Sequence, residues 1–308
     1  MSSDCFACMG ETSQARFKPL AIAQVAEMLA NVQDNPLGNK PVGGKTSLAG
    51  VQDKIVLAST PDGWGRVVDG YPSTHILKPE SSTYPTTIYD EEFGARLARA
   101  VGLSTYQTWI EEFDAVRAVV IERYDRSPRA PHGRIHQEDF NQALGAAGDQ
   151  KHQRYGGRVS LARIAKVLSE IGSHDGLDRL LCSLVLSVAV GNLDMHAKNV
   201  SLLHHHDGTV TLAPAYDVVP QTHISNDGEM ALAVNNEYHH RKITRAHLVA
   251  EARGWGHPAA EHTVDETLAI VLDAVTNETP HPHAHPNLVD DITRFTRNLM
   301  AGRAAGDD

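Results

Sequence analysis

Cysteine is scarce in this sequence: there are three, and only Cys5 and Cys8 stand close together. Their C-x-x-C has no second cysteine pair behind it. A structural zinc takes four ligands, so a site there needs histidines or another chain to complete it. We read these cysteines as ordinary reduced thiols. Basic residues are outnumbered, 28 Lys and Arg against 38 Asp and Glu, for a formal net charge of -10. That balance excludes a global attraction to nucleic acid or to an anionic membrane and leaves only the route of a local basic patch. Long apolar runs are missing as well. The longest, Leu177 to Val190, is interrupted by Asp178 and Arg179 and is too short to span a bilayer. The opening MSSDCFACMG lacks the basic start and apolar centre of a secretory signal, so the expected location is the cytoplasm.

What is present is an ordinary globular balance. With 308 residues, 41% hydrophobic and 21% charged, the chain can fill the core of two lobes or of one large domain. Histidine is abundant at 18, with His204, His205 and His206 in one turn and His281, His283 and His285 in a Pro-rich loop. Both sets read as solvated linkers rather than metal sites.

Periodicity gives an outline. FKPLAIAQVAEMLANV spaces its apolar residues as a helix does, and DNPLGNKPVGGKTS ends it. LAGVQDKIVLAS, GRVVDG and STHILKPE are short β-rich segments expected to form neighbouring antiparallel strands. YDEEFGARLARAVGL then reads as an amphipathic helix stopped by Gly102. YQTWIEEF and AVRAVVIERYDR read as two further strands. From about residue 126 helices dominate, the clearest being RVSLARIAKVLSEIG and LDRLLCSLVLSVAVG. A hairpin turning at Asp207 and Gly208 and three more helical stretches follow. No internal repeat is found. The expectation is an α+β protein with a β-rich lobe over 1–125 and a helical lobe over 126–308, and a cleft between lobes is a common ligand site.

The polar residues at the end of the long apolar helix carry the chemistry. In GNLDMHAKN, Asp194 and Asn199 are five positions apart, and Asp217 of PAYDVV follows across the hairpin. An Asp, an Asn and a second Asp in that layout suit phosphoryl transfer: a carboxylate aimed at the attacking hydroxyl, and oxygen ligands for Mg²⁺ on the nucleotide phosphates. Asp194 would be the base, and Asn199 and Asp217 the metal ligands. Taken singly, each is better read as a cap or turn residue, and the combined spacing, with a cation upstream, shifts the balance. Lys78 in STHILKPE supplies a cation on a strand to grip phosphates. Glu91, in the first turn of the next helix, is placed to hold that lysine, with Glu92 as the competing choice. PVGGKTSLAGVQDK could cover the phosphates with backbone N–H groups. Its Gly38, Gly44, Lys45 and Thr46 are spaced one residue too far for a P-loop.

Through SLAGVQDK, HILKPE, DEEFGARLARAVGL, VIERYDR, HQEDF, GNLDMHAKN and PAYDVV, the chain resembles the HipA family of serine/threonine kinases, the toxins of bacterial toxin–antitoxin systems. The resemblance covers about residues 45 to 220. It implies a two-lobed protein-kinase-like fold with ATP and Mg²⁺ in the cleft and Asp194 as catalytic base. Asn199 and Asp217 become the metal ligands, and Lys78 the phosphate-gripping lysine. The resemblance further implies that Ala49, Gly50, Val51, Gln52, Asp53 and Lys54 form the phosphate loop. Glu122, Arg123 and Tyr124 correspond to the hinge that meets adenine. His196, Ala197, Lys198, Asn199 and Tyr216 add nucleotide contacts, and Ser47 matches the autophosphorylated serine of such kinases.

By the same resemblance, the family's extra amino-terminal subdomain is expected to be missing before Ser47, as in split members where a separate small protein resembles it. The implied partners are a protein substrate, with aminoacyl-tRNA synthetases among the family's targets, and a helix-turn-helix antitoxin through which DNA is reached. No membrane is implied. Two rival readings stand beside this one: a small-molecule phosphotransferase on the same fold, and a pseudokinase that binds without turnover. The competent residues at the base and metal positions argue against the second rival.

Overall fold

The computed structural model describes residues 16–32, 53–146, 152–155, 157–173 and 175–308. Six strands form one antiparallel sheet: β1 (Arg16–Pro19), β2 (Ile55–Thr60), β3 (Gly63–Val68), β4 (His75–Pro79), β5 (Thr108–Phe113) and β6 (Val116–Glu122). Their order is β1-β3-β2-β4-β6-β5. The three expected strands before the first long helix are there, with β1 added at the edge against β3. Side chains alternate across a strand, and that period of two sets up the site. Leu77 and Val120 point to one face, where they pack with Val25 and Leu29 of α1 (Ile22–Ala30). Lys78 and Val119 point to the other, toward α2 (Thr87–Ala100).

Helix α2 is not the amphipathic surface helix its sequence suggests. Asp90, Glu91 and Glu92 are all buried along with Ile88, Tyr89 and Phe93. The cause is position: one side of α2 faces the sheet, and its apolar residues join the core of the helical lobe. Gly102, at φ 78, stops the helix as expected.

The helical lobe is built around α5 (Gly176–Val190), packed by α4 (Leu161–Glu170), α6 (Arg245–Gly254), α7 (Ala260–Asn277) and α8 (Leu288–Met300). Ten of its residues, including Leu184 to Val190 without a break, are buried, so the long apolar run is an all-round buried core helix. The expected hairpin is β8 (Ser201–His204) and β9 (Val210–Leu212), turning at Asp207 and Gly208.

Four further short elements, three strands and a one-turn helix, were not expected from the sequence. Strand β7 (His136–Asp139) pairs with β8 and leads into the one-turn α3 (Phe140–Ala143). Strands β10 (Glu229–Val234) and β11 (Glu237–His239) form a separate ribbon. The loop of His281, His283 and His285 also differs from expectation, since it is packed rather than solvated. His281 stacks on Tyr89 at 4.5 Å, and His285 on His223 at 4.0 Å. No cluster of three His, Cys, Asp or Glu able to hold a metal occurs among the described residues, and no helix among them is long and apolar enough to cross a membrane. Cys5 and Cys8 lie outside the described residues.

Gly191 closes α5 in the left-handed conformation, φ 70, with the Asn192 N–H donating back to the Ser187 carbonyl at 2.8 Å. A Cβ there would come within 2.6 Å of Thr222 Cγ2. Gly191→Ala is therefore expected to cost about 1–2 kcal/mol from the backbone alone, with the Thr222 contact adding to it. A fall in the urea midpoint with unchanged slope checks this.

Candidate active site

The sharp stop at Gly191 delivers the chain straight into the loop that carries Asp194. The Asn192 side-chain oxygen accepts from the Asp194 N–H at 3.3 Å, and the Asp194 carbonyl accepts from the His196 N–H at 2.7 Å and from the Asn199 side-chain amide at 2.8 Å. The five-residue spacing of Asp194 and Asn199 is thus the spacing of one closed loop. The Asp194 side chain is 44% exposed, with His196 Nε2 3.7 Å from its Oδ1.

Lys78 is the electrostatic centre. Its Nζ lies 2.6 Å from Glu91 Oε1 and 2.5 Å from Asp217 Oδ1, and the lysine is 4% exposed. Burial works against its charge, but the two carboxylates outweigh burial and hold its pKa above the ordinary lysine value. For Asp217 burial again opposes ionisation, and Lys78 prevails, so that carboxyl titrates lower than usual. Glu91 is pushed the other way, because burial outweighs its lysine and Asp217 repels it. Lys54, also buried, is pushed down by burial and then by the Lys78 charge. The helix rotation turns Glu91 to Lys78, whereas Glu92 turns to Arg96, at 3.1 Å.

Asp217 has φ 51, an uncommon conformation for a residue with a Cβ, and the two residues before it are pinned. Ala215 N–H donates to the Leu103 carbonyl at 3.1 Å, and Tyr106 O–H donates to the Ala215 carbonyl at 2.8 Å. Tyr216 O–H donates to the Lys198 carbonyl at 2.7 Å. Tyr106 and Asn192 were missed by sequence reasoning. An Asn two residues before Asp194 is a signal for an Asx turn, whereas nothing in the sequence around Tyr106 announces its place in the site.

Two cavities meet at these groups. One, of about 1060 Å³, is lined by Asp53, Asp194, His196 and the β4–α2 connection. The other, of about 820 Å³, is lined by Ile76, Ile121, Glu122, Arg123, Tyr124 and Tyr216. Both share Lys54, Lys78, Lys198, Asn199 and Asp217 as their common wall. The Arg123 guanidinium is committed to Asp125, at 2.9 and 2.7 Å, and Tyr124 O–H donates to Gln137. Residues 122–124 therefore offer backbone and ring surface to the smaller cavity rather than a free cation. Ala197 lines neither cavity: it is fully buried, and its carbonyl accepts from Phe140 N–H. Ala49, Gly50, Val51, Gln52 and Ser47 lie outside the described residues.

The oxygen donors of Asn199 and Asp217 on that common wall suit a hard cation such as Mg²⁺. Lys54, Lys78 and Lys198 stand on the same wall, and Asp194 lines the larger cavity but not the smaller.

Comparison with known proteins bears on the same residues. Residues 46–277 match the HipA-like C-terminal domain family. Protein Y4mE of Sinorhizobium fredii is 32% identical over 264 residues, covering 84% of this chain and 60% of that protein. The serine/threonine-protein kinase toxin HipA of Shewanella oneidensis is 25% identical over 80% of this chain and 59% of its own length. The chain thus spans about three fifths of these curated relatives. Among solved structures, Shewanella oneidensis HipA, determined with HipB and operator DNA, superposes with a TM-score of 0.69 at 22% identity over 96% of this chain and 72% of that one. The Helicobacter pylori proinflammatory kinase CtkA superposes with a TM-score of 0.52 at 12% identity, over 85% of this chain and 92% of that one.

Proposed function

Because the chain belongs to the HipA-like C-terminal domain family, we propose that it is an ATP-dependent serine/threonine protein kinase acting as the toxin of a toxin–antitoxin pair. Its fold is the α+β, two-lobed kinase-like one. The observation that carries the proposal is the common wall of the two cavities, where Lys78, Asn199 and Asp217 sit together. In this reading adenine occupies the smaller cavity against residues 122–124 and Tyr216, and the phosphates reach Lys54, Lys78 and Lys198. Mg²⁺, when bound, neutralises charge on the phosphates and is held by Asn199 and Asp217. Glu91 orients Lys78, and Asp194 takes the proton of the attacking hydroxyl, which enters through the larger cavity. Residues 1–125 serve as the nucleotide-covering lobe, and 126–308 as the lobe that carries base and metal ligands.

A protein acceptor, of which an aminoacyl-tRNA synthetase is the class suggested by resemblance, completes the reaction. Control by an antitoxin is supported by the Shewanella oneidensis relative, which was determined with HipB and DNA. With a net charge of -10, this chain is expected to reach DNA only through that partner. Autophosphorylation at Ser47 belongs to the same proposal. The test is to supply γ-labelled ATP and Mg²⁺ with bacterial lysate and to separate products. Label on serine or threonine of a protein is expected. Label only in small molecules would make the enzyme a small-molecule phosphotransferase, and no transfer at all would make it a pseudokinase.

A further inference from the structure

We propose that Gly94 is a positioning residue that locks Glu91, Lys78 and Asp217 into one rigid unit. It does so by letting α2 lie directly against the backbone of the residue after Asp217. The inference rests on the kinase reading above and names what holds its proposed metal ligand in place.

Gly94 sits inside α2, where alanine is the better helix former, so local propensity does not account for it. Its φ is not among the positive ones, so backbone freedom does not account for it either. What accounts for it is distance. A Cβ at position 94 would lie 2.0 Å from the Val218 carbonyl oxygen, 3.1 Å from its carbon and 3.4 Å from Val218 Cγ1. The nearest obstacle is backbone and cannot swing aside as a side chain can.

The contact lies where it matters. Glu91 is one helical turn before Gly94 and on the same face. Val218 directly follows Asp217, whose left-handed φ of 51 is held from the other side through Ala215 by Leu103 and Tyr106. Lys78 then ties the two elements together, at 2.6 Å to Glu91 and 2.5 Å to Asp217. Any side chain at 94 has to move α2 off residues 217–218 by roughly 1 Å, a displacement that costs on the order of 10²-fold in a preorganised site. After such a shift Lys78 cannot keep both partners. Contacts to the base in the smaller cavity, which come from residues 121–126 and Tyr216, are left in place.

The experiment uses the full chain and Gly94→Ala, with Gly254→Ala as a control, since a Cβ there meets nothing within 4 Å. ADP affinity is measured by calorimetry with and without Mg²⁺, and phosphoryl transfer alongside. The expected result is an ADP affinity that falls less without Mg²⁺ than with it, so that the gain Mg²⁺ brings is lost, and a turnover lower by about 10²-fold. Gly254→Ala should match wild type throughout.

Retention of both the Mg²⁺ gain and the turnover in Gly94→Ala overturns the proposal, as does an equal loss of ADP affinity with and without Mg²⁺, which would mark a merely structural glycine. Absence of any Mg²⁺ gain in the wild type removes the kinase reading itself, and the proposal with it. Should Gly94→Ala fail to fold, hydrogen exchange on the wild type takes its place. Mg²⁺ and ADP should then protect residues 91–97 and 215–219 together, and protection of 215–219 alone overturns the proposal.

Discussion

Asp194→Asn is expected to cut phosphoryl transfer by roughly 10²- to 10⁴-fold, the range a positioned general base supplies, while leaving the melting curve where it was. The two halves of this expectation have separate grounds. The Asp194 side chain is 44% exposed, and the loop-closing bonds to Asn192 and Asn199 use its backbone N–H and carbonyl. Asparagine preserves the shape and those bonds but cannot accept the proton of an attacking hydroxyl. ATP affinity should stay near wild type, because Lys78, Asn199 and Asp217 are untouched. Single-turnover transfer with purified protein and denaturation of the same samples check both halves. Wild-type transfer in the folded variant would remove Asp194 from the chemistry.

The spacing of Asp194, Asn199 and Asp217 was legible in sequence because two local structures set it: a closed loop between the first pair, and a hairpin between Asn199 and Asp217. Lys78 was legible as a strand residue before a helix. What distinguished Glu91 from Glu92 was the rotation of α2 between sheet and helical lobe, a long-range property that local pattern does not contain. The same sandwiching buries three consecutive acidic residues of α2, against the amphipathic reading. Strands β1 and β7 are four residues each, exposed or partly exposed at every position but Asp139, and gain their identity only from the neighbours they pair with. The loop of His281 and His285 looked solvated because its partners, Tyr89 and His223, are far away in sequence.

Lys78→Met is expected to destabilise the protein by about 3–5 kcal/mol at neutral pH, the usual result of removing one partner from a buried ion pair, and to abolish transfer as well. The variant leaves Glu91, whose side chain is 4% exposed, facing Asp217, at 29%, with the cation between them gone. The loss should depend on pH in a direction that the site dictates. In the wild type, the depressed Asp217 pKa contributes stability that is present above the unfolded carboxylate range and lost as pH falls through the folded value. The raised Glu91 pKa contributes in the opposite sense, fully below the unfolded value and lost as pH rises through the folded one.

Without Lys78, burial and mutual repulsion push both carboxyls up, so the folded variant binds protons that the unfolded chain has released. Its deficit relative to wild type should therefore shrink as pH is lowered from about 8 to about 5. Urea titrations of both proteins across that range measure it. A deficit that grows on acidification, or none at pH 7, would mean that Lys78 does not hold the two carboxylates together.

The central claim is that the two cavities are one nucleotide site divided by Lys78, Asn199 and Asp217, and the direct measurement is a crystal structure with Mg²⁺ and a non-hydrolysable ATP analogue. The account predicts the base against residues 122–124 and Tyr216, the phosphates beside Lys54 and Lys78, the metal on Asn199 and Asp217, and the γ-phosphate facing Asp194. A nucleotide bound outside both cavities, or a site left empty at saturating nucleotide, would contradict it.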